Sequence, residues 1–263
     1  MSTPTGGPAD ADSTTDDAAH GTTGGPPAPG PGRDRLARVL LGAFLLATAV
    51  DLAGLLADVW TVHAVAKPLL MPLLVGHVAA RGAPRLLIAA LLFGWGGDVA
   101  LLFDADPAFM IGMASFAVGH VCYLLLFRGA PMNRPLGALY ALALVTLVVL
   151  LWPGLPAELR IPVAGYSLLL TFMAFRASGL GRTPFLSAAG IGGALFLLSD
   201  TLIATGVADW PQLPAPDFWV MATYAAAQLL LALGVLGAGP GPARAARRAE
   251  PAPTAYGERS TAL

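Results

Sequence analysis

The chain has 263 residues, 56% hydrophobic and only 12% charged, with a net charge of −1. A soluble domain carries about 25% charged residues, so the composition speaks against an ordinary water-soluble fold. The near-zero charge gives no case for a nucleic-acid partner, and the single cysteine, Cys122, leaves no disulfide framework or cysteine metal site.

Residues 1–32 are Gly, Pro, Thr, Ala and Asp with almost no large apolar side chains, and a disordered tail is expected there. No basic start with a short apolar core appears, so the segment does not read as a signal peptide. Eight apolar stretches follow, at 36–56, 62–80, 84–103, 107–128, 136–152, 160–176, 184–206 and 217–237. Each approaches the ~20 residues a helix needs to cross a hydrocarbon core of about 30 Å. Pro, Gly and charge separate them, as in RGAPR (81–85), RGAPMNRP (128–135) and ADWPQLPAPD (208–217). From 238 the chain turns Gly-, Pro- and Arg-rich, a second disordered tail. The expected architecture is all-α: a polytopic membrane protein whose eight transmembrane helices occupy 33–237, between tails 1–32 and 238–263.

The connections carry alternating charge. Arg33, Arg35 and Arg38 open the first stretch, and Arg81 with Arg85, Arg128 with Arg134, Arg176 with Arg182, and Arg244, Arg247 and Arg248 mark every second connection. Asp58, Asp104 with Asp106, Glu158 with Arg160, and Asp209 with Asp217 mark the others. The positive-inside rule then places both termini in the cytoplasm, and a bacterial-type plasma membrane is the expected setting.

Away from the helix ends, the only Asp, Glu, Lys or Arg residues in the spans are Asp51, Lys67, Asp98 and Asp200. Ionisable groups at membrane depth are costly unless they face the bundle interior, a partner or water, so each is a candidate functional residue. Counting from the nearest acidic connection places all four ~9–14 Å deep. Tyr166 and Tyr224 fall at similar depth, with Gln228 one turn below Tyr224 on the same face. These residues form a layer. Glycines and small residues beside Asp98 (GWGGD) and upstream of Asp200 read first as close helix packing, which could bring the third and seventh helices together around one cavity.

Asp51 and Lys67 lie at matching depth across a short loop. They form either a structural ion pair or leave Lys67 free to project into a cavity and bind an anion such as a phosphate; Pro68 and Pro72 would loosen the helix beside it. Three acids and one lysine leave excess negative charge in a low-dielectric site, where desolvation and repulsion disfavour ionising every acid. One protonated and one ionised carboxyl held together suit general acid–base hydrolysis. The plainer alternative is acids hydrogen-bonded to Tyr or Ser for packing. His120, on one side of its helix with Tyr123, lies deeper and reads first as a core histidine satisfied by a neighbouring helix. His63, at a helix boundary, and His77 receive no role.

KPLLMPLL (67–74), GDVALLF (97–103), SFAVGHVCYLLLF (115–127), GALFLLSDTLIA (193–204) and YAAAQLLL (224–231) resemble, in order and spacing, the YhhN/TMEM86 family of lysoplasmalogenases. The resemblance covers about 36–237. It implies hydrolysis of the vinyl ether of lysoplasmalogen-type lysolipids to a fatty aldehyde and a glycerophospho-base, with no metal or organic cofactor and with membrane lipids as surroundings. The paired aspartates of the family fall on Asp98 and Asp200, and its KP lysine on Lys67. Lys67, Tyr224 and Gln228 would then hold the glycerophosphate end, with Tyr166, His120 and Asp51 as further substrate-side candidates. The rival reading is a proton- or cation-coupled transporter using the same carboxylates. An intramembrane aspartyl protease fits less well, because the first glycine of a GxGD motif falls on Trp95.

Overall fold

The structure, a computed structural model, describes residues 31–180 and 187–238. The expected tails lie outside these residues except for 31–32 and 238, as does Arg182. The described residues fold into eight α-helices: α1 (Pro31–Leu56), α2 (Trp60–Ala80), α3 (Arg85–Ala100), α4 (Asp106–Leu126), α5 (Arg134–Leu151), α6 (Ala157–Ser178), α7 (Ala188–Val207) and α8 (Pro216–Gly237). The helix breaks expected from Pro, Gly and charge are the breaks found.

Local chemistry sets these ends. Proline stands in the opening turn of α4, α5 and α8, where its missing N–H costs no helical bond. The Asn133 side chain accepts from Leu136 N–H at 3.1 Å, and Ser187 Oγ from Gly190 N–H at 3.0 Å, capping α5 and α7. At the three-residue turn between α1 and α2, Asp58 adopts the left-handed region (φ 55°), a conformation that aspartate tolerates better than bulkier residues.

Seven of the helices are at least 18 residues long, with a mean hydropathy of 1.3 to 2.2 in their most apolar windows, enough to cross a membrane. The exception is α3, with 16 residues. Its expected span, 84–103, is completed by a tighter turn, in which Leu102 N–H bonds to Val99 O and Phe103 N–H to Ala100 O. The outer surface is apolar: Leu46, Val65, Leu142, Val149 and Ile161 are all largely exposed, as lipid-facing side chains are.

The bundle is assembled from the hairpins α1–α2, α3–α4 and α7–α8. Helix α8 also touches α1, α2 and α3, while α6 packs on α7 and α4. Close approach of α7 and α8 requires glycine at 192, where a Cβ would stand 2.8 Å from Leu231 N and 2.9 Å from Ala227 O. The expected approach of the third and seventh helices is not how the bundle packs, since the glycines around Asp98 face α4 and α8. Helix α5 lies apart, packed substantially on α6 alone.

Candidate active site

A cavity opens between α4, α6, α7 and α8, and residues from α2, α3 and α5 complete its wall. Asp98 and Asp200 both line it, together with Lys67, Tyr166 and Tyr224. The rest of the wall is mainly apolar, with Phe109, Met113, Leu147, Val163 and Val207 toward the end where the acidic connections lie. The polar layer expected from depth is thus one side of a single cavity whose remaining surface suits a hydrocarbon chain.

Asp98 sits in the last turn of α3 and is 2% exposed. Tyr224 Oη donates to its Oδ2 at 2.8 Å, Gln228 Nε2 donates to Tyr224 Oη at 3.2 Å, and Tyr123 Oη donates to Gln228 Oε1 at 2.8 Å. Every donor in this chain points toward the carboxylate, which is therefore held as an acceptor at Oδ2. One glycine makes room for the chain and another for its surroundings. A Cβ on Gly94 would come within 2.9 Å of Gln228 Nε2, and one on Gly97 would run into the Phe116 ring beside the chain.

Asp200, on α7, is half-buried, and its Oδ2 accepts a short hydrogen bond from Tyr166 Oη of α6. His120 Nε2 lies 3.0 Å from the same Oη. Because the phenol proton is committed to Asp200, His120 must donate through Nε2–H, which leaves Nδ1 as an acceptor. That Nδ1 is buried and has no partner among the described residues. The ring is sandwiched instead by aromatics, 4.8 Å from Phe196 and 5.4 Å from Tyr166 between centroids. His120 is thus a core histidine bonded to a neighbouring helix, and that neighbour is a site residue.

The expected ion pair between Asp51 and Lys67 does not form, and His63 takes the place of the lysine. Asp51 is hydrogen-bonded to His63, whose Nδ1 stands 2.8 Å from Asp51 Oδ1. Lys67, one turn further along α2, instead lines the cavity. Its helix is fastened to α3 through a defect. Pro72 has no N–H for the carbonyl of Pro68, and the Trp95 indole N–H donates to that carbonyl at 2.9 Å. Asp51, His120 and Gln228 do not line the cavity: His120 and Gln228 stand behind Tyr166 and Tyr224, and Asp51 bonds to His63, which does not line it either. Tyr123, the remote anchor of the Asp98 chain, was visible in the sequence only as a helix-face neighbour of His120. Among the described residues no group of three His, Cys, Asp or Glu side chains converges as a metal site.

Fold and site together define a polytopic α-helical membrane protein in which two carboxylates and a lysine face one mostly apolar cavity. The chain belongs to the YhhN family, which matches residues 62–235. It is 37% identical over 155 residues to the human lysoplasmalogenase TMEM86B (Homo sapiens), covering 59% of this chain and 65% of that one. Identity to the rat TMEM86B (Rattus norvegicus) is 38% over 151 residues, covering 57% and 61%, and to the bovine lysoplasmalogenase TMEM86A (Bos taurus) 30% over 167 residues, covering 61% and 69%. The chain thus spans slightly under two thirds of the TMEM86B relatives' length. No solved structure matches.

Proposed function

We propose that the protein is an integral membrane hydrolase that cleaves the vinyl ether of lysoplasmalogen-type lysolipids, releasing a fatty aldehyde and a glycerophospho-base. The observation that carries the reading is that Asp98 and Asp200 line one apolar-walled cavity with Lys67. The similarity to proteins named lysoplasmalogenase supports it.

In this reading one protonated aspartic acid delivers its proton to the alkene carbon remote from the ether oxygen, leaving an oxocarbenium ion. The other, ionised, stabilises that cation and takes a proton from the water that adds to it. The hemiacetal then collapses: the carbon–oxygen bond to glycerol breaks, the glycerol oxygen gains a proton and the aldehyde leaves. Lys67 contacts the glycerophosphate at the polar end, beside Tyr166 and Tyr224. Gln228 and His120 act through the tyrosines they hold, while Asp51, bonded to His63, stays away from the cavity wall. The catalytic unit is 33–237, placed in a bacterial-type plasma membrane with both termini cytoplasmic and the cavity opening toward the other face.

The test is aldehyde release by the purified protein from lysoplasmalogen, a diacyl lipid and a saturated ether lipid. Release from the vinyl ether alone, lost in Asp98→Asn and Asp200→Asn variants that still fold, supports the reading. Full activity in both variants overturns the acid–base assignment. Proton or cation flux in liposomes without aldehyde release favours a coupled transporter instead.

A further inference from the structure

Arg160 stands out by its charge and its place. The end of the bundle where it lies carries Asp58, Asp104, Asp106, Glu158, Asp209 and Asp217, and Arg160 is the only arginine or lysine in those connections. It occupies the first turn of α6, a helix that begins without a side-chain cap. Its guanidinium is held from two directions: Nε donates to Leu155 O at 3.1 Å, and Cζ lies 5.9 Å from the centroid of the Trp152 ring. Its terminal nitrogens have no hydrogen-bond or ion-pair partner among the described residues, although Glu158 is two residues away. An arginine fixed by its Nε and stacked on an aromatic ring presents its remaining N–H fork outward, the geometry that matches two oxygens of a phosphate.

The guanidinium also lies beside the site. Arg160 and Trp152 line a shallow groove at α5 and α6, and Leu147, Val163 and Ser167 line both this groove and the main cavity. Only those three side chains are shared between the two. Along α6, Arg160 is six residues from Tyr166, the hydrogen-bond partner of Asp200, or about 9 Å of axial rise.

We propose that Arg160, seated on Trp152, is a phosphate-binding residue beside the cavity, and that it captures the phosphodiester of a single-chain phospholipid as the lipid enters the site. The proposal rests on the hydrolase reading for the lipid's fate, though not for its binding. It places the first contact of the headgroup at the membrane surface, with Lys67 further along the same path.

The test uses the full chain in lipid nanodiscs and follows tryptophan fluorescence. The ligands are a saturated 1-O-alkyl lysophospholipid, which carries no vinyl ether, the matching 1-O-alkylglycerol without phosphate, and free glycerophosphocholine. Arg160→Gln should weaken binding of the lysophospholipid about tenfold, the loss of one charge-assisted contact, and leave alkylglycerol binding unchanged. Arg160→Lys should fall between. With lysoplasmalogen as substrate, Arg160→Gln should raise KM and preserve kcat.

Wild-type affinity for the lysophospholipid in Arg160→Gln overturns the proposal, and so does an equal loss for both lipids, which would mean that the arginine only props the loop. Glycerophosphocholine binding as tightly as the lipid would make this a soluble-phosphate site and overturn the lipid assignment. If the wild type binds the lipid as described but releases no aldehyde, the hydrolase reading fails and the Arg160 site stands.

Discussion

The two carboxylates of the site are held by arms that look alike and differ in completeness. Asp98 is fully buried, and its arm runs through Tyr224, Gln228 and Tyr123 on two helices, α8 and α4, with each of these side chains hydrogen-bonded. Asp200 is half-buried, and its arm ends after Tyr166 at His120, whose inner nitrogen is left without a partner. One arm is closed by a carboxamide that is both donor and acceptor; the other stops at a ring with a spare acceptor. The closed arm should therefore resist change as a unit, and the open arm should tolerate it locally.

Removing either acid is the largest break. Asp98→Asn and Asp200→Asn keep an acceptor oxygen for the tyrosine, and each should lower aldehyde release by about 10²–10⁴-fold, the usual range for a general acid or base. Rates measured beside a size-exclusion profile separate that loss from misfolding. Removing the tyrosine hydroxyls tests each arm. Tyr224→Phe takes the acceptor from a buried Gln228 amide and should cost about 1–3 kcal/mol of stability. Tyr166→Phe takes the acceptor from the buried His120 N–H, so it should cost a similar amount and also slow the reaction. A much smaller Tm shift for Tyr166→Phe would mean that the His120 N–H finds another acceptor.

Gly94→Ala presses a methyl group on Gln228 and Tyr224 only, so it should destabilise the protein by about 1–3 kcal/mol, as overpacking does. It should also perturb the Asp98 arm without altering the His120–Tyr166 contact, which the His120 NMR signals would report. The smallest effect belongs to His120→Phe, which removes an unpaired buried nitrogen amid Phe196 and Tyr166. Tm should hold or rise, with aldehyde release reduced about tenfold or less, because only a contact behind Tyr166 is lost. A large fall in Tm would reveal a partner for Nδ1.

Much of this was legible in the sequence, because membrane depth is a strong constraint. A chain that alternates apolar stretches with charged breaks fixes helix number, and counting inward from the breaks puts Asp98, Asp200, Lys67, Tyr166 and Tyr224 in one layer. What depth does not fix is rotation about the helix axis. His63 and Lys67 are one turn apart on the same face of α2, so spacing alone does not say which of them meets Asp51. In the folded protein it is the histidine. Likewise the glycines of GWGGD were readable as packing, but which neighbour they admit depends on Phe116, Tyr224 and Gln228 across the interface. Tyr123 escaped because its partner is 105 residues away on another helix.

Both tyrosines bond to the Oδ2 of their aspartate, and the Oδ1 atoms have no hydrogen-bond partner among the described residues and are not sealed from the cavity. Each carboxyl thus meets a ligand through one atom, on one side. In the proposed reaction an alkene held at these atoms would receive hydrogen on a single face. Turnover in heavy water, with the aldehyde trapped by reduction as it forms, should then yield one mirror form of the deuterated carbon rather than an even mixture. The handedness of that product would be a direct imprint of two phenol hydrogen bonds.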